Sequence, residues 1–297
     1  MRALSFKGIS LLFRDSFQGF MDDKVPKLGG SLAYFTLFSL GPMLIVVIFV
    51  AGLLLGRQAI EGSLYGQIQD LVGEDAAVQL QHIIKSAATS DDRKVVAVIG
   101  IGTMLLGATS VFAEIQDSIN SIWQLEIKPK QGWRLTLINR ILAFGIVASM
   151  GFLLLLSLTA AAIIESLGES LARILSDVSV IILYVITLVI ATLLFALVFK
   201  ILPAAKIKWR DLWPGAVVTV LLFMAGRFAI SFYVSKSEFG ETYGTAGSLV
   251  VLLVWIYYSS LILYFGAEFT KAYTRRFGSG IHPKSHAVSR ADPLASN

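Results

Sequence analysis

Long apolar runs separated by short charged connections set the pattern of this chain. Six runs stand out, at about 31–56, 95–113, 136–164, 178–201, 212–234 and 247–269. A helix rises 1.5 Å per residue, so about 20 apolar residues cross the ~30 Å hydrocarbon core of a bilayer. The last run opens on the small, polar Glu241-Thr242-Tyr243-Gly244-Thr245-Ala246-Gly247-Ser248. It closes on Gly266-Ala267-Glu268, followed by Lys271, Arg275 and Arg276. Ahead of the runs, residues 4–22 carry Phe6, Ile9, Phe13, Phe17 and Phe20 at spacings of three and four, the stripe of an amphipathic helix lying at a membrane surface or packing on the inner rim. Gly41-Pro42 predicts a kink in the first run. Residues 57–94, rich in acids and with scattered apolar positions, predict helices in an external loop. Trp213-Pro214-Gly215 opens the fifth run, where proline in a first turn is tolerated. The expected fold is all-α: a polytopic membrane protein of six transmembrane helices forming one domain over 1–277, with a polar, disordered tail over 278–297.

Composition agrees with this pattern. The 297 residues are 56% hydrophobic and 15% charged, with a mean hydropathy of +0.74. So apolar a chain cannot hide its surface in a single water-facing core, and lipid must solvate much of it. The apolar run beginning near Ser31 is too long for the core of a cleavable signal peptide, so it is expected to be a retained first span. Cysteine is absent, which excludes disulfides and thiolate chemistry. The net charge of +5 is read as basic loops beside anionic lipid, not as a nucleic-acid surface. Lys and Arg concentrate in alternate connections: Arg2, Lys7, Arg14, Lys24 and Lys27; then Lys128, Lys130 and Arg134; then Lys206, Lys208 and Arg210; then the tail. That alternation places both termini in the cytoplasm of a bacterial inner membrane. Trp123, Trp133, Trp209 and Trp213 then fall at the cytoplasmic interface.

Polar groups inside the apolar zone are the candidate chemistry. Arg227 lies fifteen residues beyond Leu212, about 22 Å from the inner end of its helix, and must face protein or water. Tyr34, Thr36 and Ser39 precede the kink at Pro42, and together with Arg227 and Tyr243 they are the candidates for lining a path. Glu114, Asp117, Arg140, Lys200 and Glu268 share the inner level and are expected to form a charge network there, either a substrate or proton site or structural pairing at helix ends. His82, His282 and His286 all fall outside the runs. There is no zinc spacing, no phosphate loop and no Gly-x-Ser-x-Gly elbow. No metal, cofactor or catalytic residue is therefore expected, and the chain does not read as an enzyme.

Four stretches resemble the BrkB/YihY family of bacterial inner-membrane proteins, in order along the chain. They are Ala33-Tyr34-Phe35-Thr36-Leu37-Phe38-Ser39-Leu40-Gly41-Pro42; Glu114-Ile115-Gln116-Asp117-Ser118-Ile119-Asn120-Ser121-Ile122-Trp123; Pro214-Gly215-Ala216; and Tyr243 to Ser248 continuing through Trp255-Ile256-Tyr257-Tyr258 to Glu268. The resemblance covers about 23–277 and implies an all-helical inner-membrane protein of six spans. An old ribonuclease label attached to that family finds no support in these residues.

Three functions are weighed. The favoured one is a transporter or passive passage for lipid or another amphipathic or anionic envelope molecule. The alternative is a non-transporting scaffold for envelope assembly. An enzyme would need Glu114, Asp117 and Glu268 to converge on one pocket. Membrane lipids are the expected partners, a homo-oligomer stays open, and nucleic acid is not expected.

Overall fold

The computed structural model describes residues 6–39, 110–128, 185, 188–236 and 247–290; the side chains of 6, 7, 227–236 and 247–249 are outside that set. The fold is helix-dominated. Helix α1 spans Phe6–Asp22. Residues 25–39 form α2, and 110–122 are helical as α3. Strand β1 is Leu125–Ile127. Helix α4 is Leu188–Ile201 and β2 is Ala205–Lys206. Helices α5 and α6 span Trp209–Lys236 and Gly247–Arg276. Strands β3, His282–Pro283, and β4, Ala287–Ser289, complete the order. Two non-glycine residues adopt left-handed backbone just past helix ends: Lys24, at φ 53°, follows α1, and Gln124, at φ 58°, follows α3.

The chain divides into two compact units, one of Met1–Asp23, Ile119–Leu222 and Phe265–Asn297, the other of Lys24–Ser118 and Phe223–Tyr264. In the first, Ile119, Ile122, Phe199, Leu212 and Ala216 are almost wholly buried. Here α5 and α6 run antiparallel and interlock through small residues. A Cβ placed on Gly215 would lie 1.9 Å from Thr270 Oγ1, and one on Gly266 would lie 1.9 Å from Thr219 Oγ1. Each threonine hydroxyl donates to the glycine carbonyl four residues earlier on its own helix, at 2.7 Å for Thr219 and 2.8 Å for Thr270. The hydroxyls are thus satisfied without leaving their helices, and glycine lets the two backbones close on them, as small residues do where lipid offers no hydrophobic drive. Pro214 is the sixth residue of α5, not part of its entry, because the helix begins at Trp209.

The tail departs from expectation. Up to Arg290 it is folded. Strand β4 pairs antiparallel with β1, Leu125 opposite Ser289, and β3 pairs with β2, Ala205 opposite Pro283. The ribbons form because the connections after α3 and α4 offer free strand edges that the short tail alone could not supply. Asp211, 3% exposed, accepts from the Ser279 N–H at 3.1 Å and its hydroxyl at 2.8 Å. Lys284 Nζ donates to the carbonyls of Ile201, at 3.3 Å, and Pro203, at 2.8 Å, capping the end of α4 with a cation. Burial, and then the charge of Lys200, hold the Lys284 ammonium below its usual pKa. Burial, and then Lys284, do the same to the His286 imidazole.

In the second unit, Gly226 accommodates Tyr258, whose hydroxyl would lie 1.8 Å from an added Cβ, and Gly29 lies against Leu261 and Tyr257. Phe223 and Trp255 meet edge-on at 5.8 Å. Among the described residues one helix, Val250–Arg276, is long and apolar enough to cross a membrane, and only 28% of its most apolar window is buried. A core helix of a soluble protein would be mostly buried, so the outward apolar surface of this one calls for lipid. The spans expected at 95–113 and 136–164, the external loop at 57–94 and the kink at Pro42 lie wholly or mostly outside the described residues.

Candidate functional site

The site lies in the first unit, between α1 and the C-terminal part of α6. Helix α1 packs along a line of three small residues and one leucine, Gly8, Leu12, Ser16 and Gly19. Leu12 and Ser16 are 2% and 0% exposed, the Ser16 hydroxyl donates to the Leu12 carbonyl at 2.7 Å, and Gly8 comes within 3.3 Å of the Phe277 ring, measured from a built Cβ. On one flank of that line the phenylalanine stripe faces outward: Ile9 is 40% exposed and Phe17 61%. Phe13 meets Phe269 edge-on at 5.2 Å and Phe20 lies 6.0 Å from Phe265. The stripe is therefore divided: Phe13 and Phe20 reach rings of α6 while Ile9 and Phe17 stay outward, and the closest packing runs along Gly8, Leu12, Ser16 and Gly19.

On the other flank is a polar cleft of about 470 Å³. Helix α1 contributes Asp15, Gln18, Gly19 and Asp22, followed by Asp23; α6 contributes Glu268, Lys271, Arg275 and Arg276; Gln124 closes one side. Lys271, 6% exposed, sits between two carboxylates. Its Nζ donates to Asp23 Oδ2 and to Glu268 Oε2 at 3.1 Å. Glu268 is 1% exposed and reaches this position only because residue 19 is glycine: a Cβ there would lie 2.5 Å from Glu268 Oε2. Arg276 pairs with Asp15 at 2.5 Å, and Arg275 meets the side-chain oxygen of Gln124 at 3.4 Å. Trp123 supports the floor, its indole N–H donating to the Ala267 carbonyl at 3.0 Å. Two carboxyl groups thus converge on one ammonium, Glu268 almost wholly buried and Asp23 partly open to the cleft.

The sequence-derived candidates fare unevenly. Glu268 belongs to this cleft, with Lys271 as its partner. Lys200 does not join it: its ammonium donates to the Ile207 carbonyl and lies 5.9 Å over the Trp209 ring. Glu114 and Asp117 lie in the other unit, where Glu114 accepts from Ser118 at 3.5 Å. Tyr34 is 58% exposed in an aromatic cluster with Phe35 and Phe38, and the Ser39 hydroxyl donates to the Thr36 carbonyl of its own helix at 3.0 Å. The side chain of Arg227, and Pro42, Arg140 and Tyr243, lie outside the described residues. Of the tryptophans expected at the cytoplasmic level, Trp123 is 3% exposed inside the fold, whereas Trp209 and Trp213 are 42% and 40% exposed. Sequence reasoning missed Gly19, Asp23 and Lys271. The available signal was the three-residue spacing of Glu268 and Lys271 on one helix face; nothing local announced Asp23, which arrives from the far end of the chain. Among the described residues no group of three metal-ligating side chains gathers.

Comparison with known proteins links the chain to a family of membrane proteins. The family described as Virulence factor BrkB matches residues 16–291. A UPF0761 membrane protein of Aeromonas salmonicida is 25% identical over 269 residues, 84% of each chain. One of Psychromonas ingrahamii is 28% identical over 253 residues, 83% of this chain and 81% of its own. One of Tolumonas auensis is 26% identical over 261 residues, covering 84% and 80%. No solved structure matches. The relatives are named as membrane proteins, and none of those names denotes an enzyme. With nearly the whole chain matched, from inside α1 to the end of the folded tail, the protein belongs to the virulence factor BrkB family of membrane proteins.

Proposed function

We propose that this protein gives a lipid or another amphipathic envelope molecule a path across the bacterial inner membrane, through six spans with both termini cytoplasmic. The observation that carries the reading is the charged cleft beside Glu268 and Lys271, at the end of the apolar helix α6 and beneath a surface helix with exposed phenylalanines. A polar recess set against lipid-facing apolar surface suits a cargo that is itself divided into head group and chain. The test is reconstitution into vesicles carrying a fluorescent lipid in both leaflets, with quenching from outside. The expected result is loss of fluorescence beyond the outer half, and a slower loss when Gly19→Val displaces Glu268 from its place in the cleft. Quenching that stops at half, as in protein-free vesicles, ends the reading. A scaffold is the second reading, favoured by the two β ribbons and Lys284 that tie the connections to the tail. It predicts that such vesicles stay half quenched while an envelope enzyme co-purifies with the chain.

A further inference from the structure

We propose that the turn into α5, from Lys206 to Trp213, is a binding site for an anionic glycerophospholipid, held by the protein as a resident lipid. The proposal goes beyond the passage reading and does not rest on it. Residues 205–208 are extended and their side chains alternate: Ala205 and Ile207 are buried, Lys206 and Lys208 exposed. Alternate residues of an extended chain share a face and stand about 7 Å apart, so both ammonium groups reach one phosphate between them. Among the described residues neither lysine enters an ion pair. Nor is there an acid close in the chain to offset them, since residues 199–210 and 277–290 contain no aspartate or glutamate. Asp211, which follows, is 3% exposed and already taken by Ser279 and Arg210. The tail adds to the same sign of charge. Its β3 sets His282 opposite Lys206, and Lys284, lowered in pKa by burial and then by Lys200, shows like charges crowded along this edge. An anion relieves that crowding.

The anion is the head of a lipid because the basic turn leads onto an apolar stripe. Trp209, Trp213, Val217 and Leu221 recur at every fourth residue of α5 and all are exposed. The Lys200 ammonium lies 5.9 Å over the Trp209 ring, so cation and indole meet where the stripe begins. Indoles favour the head-group level of a bilayer. From Trp209 to Leu221 the helix rises about 18 Å, slightly more than the ~15 Å that one leaflet contributes to the hydrocarbon core. Head group and acyl chain thus each have a surface in register along one helix. A free phosphate would use the lysines and leave the stripe bare. A zwitterionic head would bring its own ammonium against the lysines.

The experiment reconstitutes the full chain in nanodiscs of phosphatidylglycerol and phosphatidylethanolamine in equal parts, and native mass spectrometry reads the retained lipid. A lysine beside anionic lipid is worth about fivefold, so two should favour phosphatidylglycerol by about 25-fold. Lys206→Gln and Lys208→Gln should each lower that preference about fivefold, and the double variant should bring the lipids near parity. Both side chains are exposed, so neither change disturbs the core. Arg14→Gln removes the same charge from an exposed position on α1 and should leave the preference as it was. Soluble glycerol phosphate in excess should leave the lipid bound; if it displaces the lipid, the site takes the phosphate alone and the assignment to a whole lipid falls. Equal retention of both lipids by the unaltered protein overturns the proposal. So does a loss in Arg14→Gln as large as in Lys208→Gln, which would make the preference a matter of net charge.

Discussion

Replacing Gly215 by alanine tests the claim that α5 and α6 are held by glycine-threonine interlock. The added Cβ would lie 1.9 Å from Thr270 Oγ1, 3.0 Å from Thr270 Cβ and 3.2 Å from the Gly266 carbonyl. Ordinary contact begins at 3.4 Å, so the overlap with the hydroxyl is about 1.5 Å. Thr270 cannot simply turn away, because its hydroxyl is engaged by the Gly266 carbonyl at 2.8 Å. Either that bond breaks or the helices separate, and overpacking of this kind costs about 1–3 kcal/mol. In an isolated helix the same change would stabilise by about 1 kcal/mol, so the sign itself is diagnostic. Gly30, with nothing within 4 Å of its built Cβ, is the matched control, and Gly30→Ala should leave stability equal or higher. Thermal unfolding in nanodiscs, followed by tryptophan fluorescence, reads both. Adding Thr270→Ala to Gly215→Ala should recover stability through a coupling of about 0.5–3 kcal/mol. A Gly215→Ala protein as stable as Gly30→Ala, or strict additivity in the double variant, refutes the reasoning.

Asp211→Ala should leave the Ser279 N–H and hydroxyl without their buried acceptor, at about 1–3 kcal/mol, with proteolysis near residue 278 rising before the helices are cut. Trp123→Phe removes the indole bond to the Ala267 carbonyl and should lower the unfolding midpoint by the equivalent of about 1 kcal/mol; an unchanged midpoint contradicts its role under the cleft. The imidazole of His286 is held below its ordinary 6.5, so the unfolded tail binds the proton more readily than the folded one. Stability of the β ribbons is then full above pH 6.5 and falls as pH drops toward the folded value. Hydrogen exchange of 282–289 should rise on acidification and lose most of that response in His286→Gln. A nitroxide at position 17 should relax with dissolved oxygen more than with an aqueous nickel chelate, since Phe17 is 61% exposed on the apolar flank; the opposite order places α1 in water.

Much of this was legible beforehand where the signal is periodic. The stripe over 4–22 announced α1, and the structure gives Phe6–Asp22. What the stripe could not announce was which face docks. Small residues leave no hydrophobic signature, so Gly8, Ser16 and Gly19 carried no weight against five large apolar side chains. The folded tail was hidden for another reason. Its strands are two and three residues long and exist only because distant connections offer them edges, so no local preference predicts them.

By itself the sequence determined that the chain is helical, apolar and built for lipid, because those properties follow from composition and spacing, which are local and additive. It also determined that the sixth run closes on an acid, Glu268, followed by the basic cluster of Lys271, Arg275 and Arg276. Only the tertiary structure decided that Lys271 divides itself between Glu268, three residues away, and Asp23, 248 residues away. Likewise only the structure matched Gly215 of α5 to Thr270 of α6, and Gly266 of α6 to Thr219 of α5. Charge pairing and close packing depend on distances of a few ångströms between segments far apart in the chain, and those distances are fixed by the fold as a whole.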